Sequence, residues 1–218
     1  MDKIKLNDTT FCITYFRDSV ERELNLKLLL KHLEDTIDNP TILISYPRVD
    51  IKDYHRTKEI NELVCLAKTK VVVIQDVDYI IHPEDMVNAE IEALNGYTVC
   101  PHSGIVDCTS NFTFNNSAGA YFIRKDIYAK HGGENENFVA WGVEDNEMIN
   151  RFISFGIPFK TIGKHKGIHN KHPPAPNKCP IGYAHNVKEY ERIMHMSYLQ
   201  RLAEVQSWIS TKKLLNTL

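Results

Sequence analysis

Short apolar runs alternate with longer amphipathic ones through the first hundred residues, and this alternation sets the expected architecture. Thr10–Phe16, Thr41–Ser45 and Lys70–Gln75 read as strands, the last built on the β-branched run Val71-Val72-Val73. Between the first two, Glu21–Leu33 carries leucines at 24, 26, 28, 29, 30 and 33, the pattern of a helix with one well-buried face. Lys52–Lys68 reads as a second helix, and Pro83-Glu84-Asp85 opens a third, proline suiting a first helical turn. Thr98–Cys100 is a short strand. Strand–helix alternation of this kind predicts an α/β fold, a central sheet flanked by helices, with ligands at the C-terminal strand edges.

The second half is less regular. Ser103–Asn116 is rich in Ser, Thr and Asn and poor in helix formers. Ala120–Ile123 is expected to be a strand, Lys125–Lys130 a short helix and His131–Asn137 a polar loop. Glu144–Phe155 reads as a helix, Pro158–Ile168 as one strand and His169–Tyr183 as a proline-rich loop. From Asn186 to about residue 215 the apolar positions 187, 190, 194, 198, 202, 205 and 209 predict one long helix. There is no internal repeat and no low-complexity tract, so the 218 residues are expected to form a single domain.

Composition changes this picture little. Hydrophobic residues at 43% and charged residues at 25% are ordinary for a soluble globular protein. A formal net charge of −2 gives no global attraction to nucleic acid or anionic lipid, and no nucleic-acid partner is expected. No apolar run is long enough to span a bilayer, which leaves peripheral contact through the C-terminal helix as the expected form of any membrane association. The five cysteines, at 12, 65, 100, 108 and 179, lack zinc-type spacing; Cys12 and Cys65 lie in apolar segments and read as core thiols, and a reducing cytoplasm is the expected compartment.

The chemistry concentrates in two acidic motifs. The strand at 71–75 ends in Asp76-Val77-Asp78, two carboxylates one residue apart, and side chains at i and i+2 of a strand point the same way. A divalent cation relieves their repulsion, because hard cations favour carboxylate oxygens. Downstream stands Trp141-Gly142-Val143-Glu144-Asp145, at the expected start of a helix. Acids in a first helical turn also serve as caps, and that reading stays open for both.

Together, five blocks resemble the nucleotide-sugar-dependent glycosyltransferases of the GT-A fold, most closely the β-1,4-galactosyltransferase-like group. They are Tyr15-Phe16-Arg17-Asp18 after the first strand, the helix Tyr54-His55-Arg56-Thr57-Lys58-Glu59-Ile60-Asn61, Asp76-Val77-Asp78, the stretch from Ser117-Ala118-Gly119-Ala120 to Arg124-Lys125-Asp126, and Trp141–Asp145. They occur in the family's order over about residues 11–185. The chain departs from the family at Val143, where a glycine is usual, and at Ser117-Ala118, where paired glycines are usual. Without the anchor and stem of the Golgi enzymes it looks like a compact bacterial or viral form.

The resemblance implies a GT-A (Rossmann-like) mixed central sheet, a UDP-sugar donor, a glycan or glycoconjugate acceptor, and Mn²⁺ or Mg²⁺ as cofactor. It implies a nucleotide-binding half at about 10–100, an acceptor and metal half at about 101–185, and a C-terminal helix at about 186–215. Phe16, Arg17, Tyr54, Arg56, Asn61, Asp76, Val77 and Asp78 would hold the donor nucleotide. Ala118, Gly119, Trp141, Gly142 and Glu144 would face the sugars. Asp78, with Asp76 nearer the ribose or a metal-bound water, would bind the metal, and His169 and His172, three residues apart, would complete that site. Asp145 would be the base that activates the acceptor hydroxyl, kept ionised by a helix N-terminus, with Glu144 holding a sugar hydroxyl. His185 would contact phosphate from a closing loop. A base opposite the leaving group implies inversion. A retaining transferase, a sugar-nucleotide pyrophosphorylase and an inactive binding module are the alternatives, although no glycine-rich loop follows the first strand as a pyrophosphorylase requires.

Overall fold

The computed structural model describes residues 2–45, 55–108, 112–114, 119–140, 142–173 and 180–218. Ten strands and eight helices are described: β1 Thr9–Thr14, α1 Val20–Thr36, β2 Thr41–Ile44, α2 Arg56–Leu66, β3 Val71–Asp76, β4 Tyr79–Ile80, α3 Pro83–Leu94, β5 Thr98–Cys100, β6 Ile105–Asp107, β7 Phe112–Phe114, β8 Ala120–Arg124, α4 Lys125–Lys130, α5 Glu144–Ser154, β9 Phe159–Thr161, β10 Gly167–His169, α6 Pro180–His195, α7 Tyr198–Ser207 and α8 Ile209–Leu215.

Six strands form the central sheet in the order β2-β1-β3-β8-β5-β9. β1, β2 and β3 run parallel, β8 is antiparallel to both β3 and β5, and β5 and β9 are parallel, so the sheet is mixed, as expected. Strand alternation divides the core. Phe11, Ile13, Val71 and Val73 pack on one face with Leu29 and Leu33 of α1 and Met86, Ala89 and Ala93 of α3. Cys12, Val72 and Ile74 pack on the other with Ile60 and Val64 of α2, Tyr128 of α4, Met148 and Phe152 of α5 and Leu214 of α8. Burial on both faces is why these strands read as unbroken apolar runs.

Three expectations need correction. The stretch 158–168 is not one strand: β9 joins the central sheet and β10 leaves it for a second sheet, ordered β4-β10-β6-β7. The Lys164-His165-Lys166 stretch between them interrupts the pattern. The long C-terminal helix is three helices. Ser197 caps α7 in a reciprocal capping box with Gln200, and Trp208 turns extended before α8. Cys65 is half-buried, whereas Cys12 is fully buried. No helix among the described residues is long and apolar enough to cross a membrane.

The second sheet is small, but it positions chemistry. β10 pairs antiparallel with β4, setting His169 against Tyr79 and Ile168 against Ile80, and parallel with β6, setting His169 against Asp107. It thereby carries His169 to the residue that follows Asp78.

Candidate active site

The turn from β3 to β4 separates two groups of charged side chains, one gathered at Asp78 and one at Asp76. Asp78 is buried, 6% exposed. Its carboxylate meets His172 Nε2 at 3.0 Å and His169 Nε2 at 3.9 Å, and the two Nε2 atoms are 3.2 Å apart. The fold holds this triad from several sides. The Asn170 amide donates to the Asp78 carbonyl at 2.7 Å, and the buried Asn25 of α1 donates through Nδ2 to the Lys171 carbonyl at 3.2 Å. Asp107 lies 3.1 Å from His169 Nδ1, and the Pro173 carbonyl 2.6 Å from His172 Nδ1. Partners at both Nδ1 atoms leave both Nε2 atoms turned toward Asp78, the orientation that metal-ligating histidines commonly adopt once neutral. One carboxylate and two imidazoles whose ligand atoms lie within 4.8 Å of one another suit a first-row divalent cation.

Arg22 also belongs to this group. Its guanidinium reaches Asp78 at 3.4 Å, His172 Nδ1 at 3.2 Å and Asp18 at 2.9 Å. The pattern of α1 marks position 22 only as a polar residue in a first helical turn, so it passes unnoticed in the sequence. The Asp78 carboxyl lies below the ordinary carboxylate range because His172, His169 and Arg22 together outweigh its burial, and the Asp78 contact raises His172 above the ordinary imidazole value.

The second group surrounds Arg56, whose side chain is 7% exposed. It faces four acids: Asp76 at 3.2 Å, Asp145 at 3.2 Å, Glu134 at 3.4 Å and Glu144 at 3.7 Å. Expected beside the nucleotide base, Arg56 is the shared counter-ion of this cluster. Asp76 likewise turns to Arg56 and stands outside the Asp78–His169–His172 group. One guanidinium cannot balance four ionised carboxylates in a buried setting, so burial pushes the carboxyls of Glu134 and Asp145 upward against the pull of Arg56. For Asp145 this reverses the expectation that a helix N-terminus alone keeps it ionised.

The start of α5 is unusual. Gly142, at φ 118°, packs where a Cβ would strike the Tyr183 ring, and Val143 sits at φ 59° in the left-handed region. A β-branched residue is strained there, where a glycine would not be. Asn186 of α6 secures the approach: its Oδ1 accepts from the Val139 amide at 2.9 Å, and its Nδ2 donates to the carbonyls of Val139 at 3.0 Å and Gly142 at 3.1 Å. Glu144 turns inward and accepts from the Gly142 amide at 2.6 Å; its side chain is 6% exposed against 22% for Asp145. Of these two acids, Asp145 is the one open to a substrate, and the sugar-hydroxyl role expected of Glu144 does not fit its orientation.

The remaining candidates are dispersed. Asn61 is buried and holds the 134–136 loop, donating to the Glu134 carbonyl at 2.9 Å and accepting from Tyr128 Oη at 2.7 Å, a structural role and not a nucleotide contact. Val77 is a core residue, Phe16 is buried, and the exposed Arg17 pairs with Glu23 at 3.0 Å. The Gly119 carbonyl accepts from the Asp76 amide at 2.9 Å. His185 lies within α6 and not on a loop, its Nε2 2.9 Å from the Asn137 carbonyl. Tyr54, Ala118 and Trp141 lie outside the described residues.

Glu134 was not legible as a site residue. It is fully buried, and its Oε2 has no hydrogen-bond partner among the described residues. An acid raised in the folded state holds a proton that the unfolded chain releases, so its contribution to stability is lost as pH rises from the ordinary carboxylate range toward the raised value. Stability should therefore fall between about pH 5 and 8. Glu134→Gln should flatten that dependence by up to about 1.4 kcal/mol per pH unit, measured by urea unfolding across the range.

Residues 106–173 match the family model described as the N-terminal domain of galactosyltransferase, a segment that includes Asp107, Glu134, Glu144, Asp145, His169 and His172. A mannosyltransferase from Pyrobaculum calidifontis, solved with GDP-Man and Mn²⁺, superposes with a TM-score of 0.57 over 96% of this chain and 73% of its own, at 11% identity. The chain has the GT-A glycosyltransferase fold. A mutant of Drosophila beta-1,4-galactosyltransferase 7, solved with manganese, UDP-Gal and xylobiose, superposes with a TM-score of 0.54 at 14% identity, over 78% of this chain and 77% of its own. No curated protein matches in sequence.

Proposed function

We propose that this GT-A chain is a divalent-metal-dependent glycosyltransferase that moves a hexose from a UDP-sugar to a hydroxyl of a glycan or glycoconjugate, with inversion. The observation that carries the reading is the position of the Asp78–His169–His172 group two residues beyond Asp76, whose partner Arg56 also holds Asp145, so that the β3–β4 turn joins a metal-ligand set to a cluster with a partly exposed carboxylate. The matched galactosyltransferase segment and the nucleotide-sugar ligands named for both structural neighbours support the same class.

Asp78, His169 and His172 would hold Mn²⁺ or Mg²⁺, whose positive charge favours departure of the nucleoside diphosphate. Arg22, paired with Asp78, keeps a second positive charge beside that position. Asp145 takes the proton of the acceptor hydroxyl; the other cluster acids are turned inward or paired, and Arg56 offsets part of the penalty on the ionised form of Asp145.

The two neighbours carry different nucleotides, so the donor is the point to test. With Mn²⁺ present, a panel of nucleotide sugars assayed for diphosphate release should yield UDP from a UDP-sugar more than ten-fold faster than GDP from GDP-mannose. Faster turnover of the guanosine donor would overturn the UDP assignment and leave the transferase reading standing; release from neither donor, with or without sugar acceptors, would speak against the reaction itself.

A further inference from the structure

The ladder that brings His169 to Asp78 gathers a second set of ligands at its other end. Continuing the pairing of Ile168 with Ile80 outward along β4 and β10 brings residues 165 and 166 toward His82, roughly 13 Å along the chain from His169. There the imidazole rings of His82 and His165 stack with centroids 3.5 Å apart and planes 20° apart, and Glu84 lies beside them. One ligand atom from each of the three residues lies within 4.8 Å of the others.

Two observations point beyond chance packing. His82 Nδ1 is buried and has no hydrogen-bond partner among the described residues, although an imidazole nitrogen out of water requires one. His165 is held in one orientation by the buried Asp85, whose carboxylate accepts from the amides of Lys164 at 3.0 Å and His165 at 2.9 Å and lies 3.1 Å from His165 Nδ1. A buried carboxylate that already accepts two amides favours the Nδ1–H tautomer, which leaves Nε2 with its lone pair for a ligand. The N-terminus of α3 opposes a cation here, but Glu84 and Asp85 in its first turn offset that field.

We propose that His82, Glu84 and His165 form a second divalent-metal site, separate from the Asp78 group, that takes Zn²⁺ or a similar borderline cation. Two imidazoles and one carboxylate, with a carboxylate behind one of the histidines, is a donor set that zinc accepts and that magnesium does not favour. The rings stack and do not yet converge on one point; with His165 held by Asp85, it is His82 that turns to meet the ion and the exposed Glu84 that closes on it. An ion bound there ties the start of α3 to the strand that delivers His169, and so braces the active site from the far end of the ladder.

The experiment is a calorimetric Zn²⁺ titration of the full chain carrying His169→Ala and His172→Ala, which removes the first group. One Zn²⁺ per chain should bind and raise Tm by roughly 5–10 °C at about a hundred-fold excess over Kd. Adding His165→Gln should abolish that binding, and Glu84→Ala, a change on an exposed helical surface that leaves folding intact, should weaken it at least about ten-fold. Asp85→Asn should weaken it about 10–100-fold by releasing the ring of His165. No Zn²⁺ uptake in the doubly substituted chain, or uptake unchanged by both His165→Gln and Glu84→Ala, would overturn the proposal.

Discussion

Asp145→Asn is expected to lower kcat by about 100-fold or more while leaving nucleotide affinity nearly unchanged. The amide is almost isosteric with the carboxylate but takes no proton. Its side chain is the more exposed of the two acids that open α5, and it points to the Arg56 cluster and not to the Asp78–His169–His172 group. The substitution also removes one of four acids that share a single guanidinium, so it should leave stability equal or improved, and a fall in rate could not be ascribed to unfolding. Steady-state kinetics beside urea unfolding checks both halves. Near-normal turnover would take the base away from Asp145, and the inward orientation of Glu144 makes that residue a poor replacement.

Arg56→Met carries the largest expected loss of stability. Burial alone would disfavour the charged guanidinium; Asp145, Asp76, Glu134 and Glu144 together reverse this and hold Arg56 charged. Removing it leaves those acids without their common counter-ion, and breaking a buried ion pair from one side costs about 3–5 kcal/mol. The acids can respond by taking up protons, so the loss should be smaller at acid pH and grow toward neutrality. Arg56→Lys should restore only part, because one ammonium cannot span four carboxylates as a planar guanidinium does. Urea unfolding at two pH values is the measurement; a loss below about 1 kcal/mol at neutral pH would show that the cluster is not held by Arg56.

What the sequence made legible follows from how strongly each element is patterned. β1 and β3 are buried on both faces and read as apolar runs, and α5 shows acids at its head and Met148 and Phe152 on its buried side. Asp78 was legible because paired acids at a strand end are followed downstream by a second acidic motif, Trp141–Asp145. The second sheet was not, since β4 has two residues and β6, β7 and β10 three each, too short for alternation to register. His169 and His172 were found through a family resemblance and a spacing of three, and their approach to Asp78 depends on the pairing of β4 with β10, which no local pattern encodes. Glu134 and Arg22 were missed for the same reason: a polar loop and an amphipathic first turn look solvated until tertiary contacts bury them. Arg56 was found through the family resemblance, but its pairing was not legible, because its four acidic partners come from three other parts of the chain.

The central claim is that Asp78, with His169 and His172, holds the divalent ion through which a nucleoside diphosphate is bound. Its most direct test is calorimetry of UDP binding to the wild-type chain and to Asp78→Ala, each in Mn²⁺ and in EDTA. The wild type should bind UDP at least about ten-fold more tightly in Mn²⁺, a difference of about 1.4 kcal/mol, and Asp78→Ala should show the same weak binding in both conditions. Equal UDP affinity of the wild type with and without metal would contradict the account.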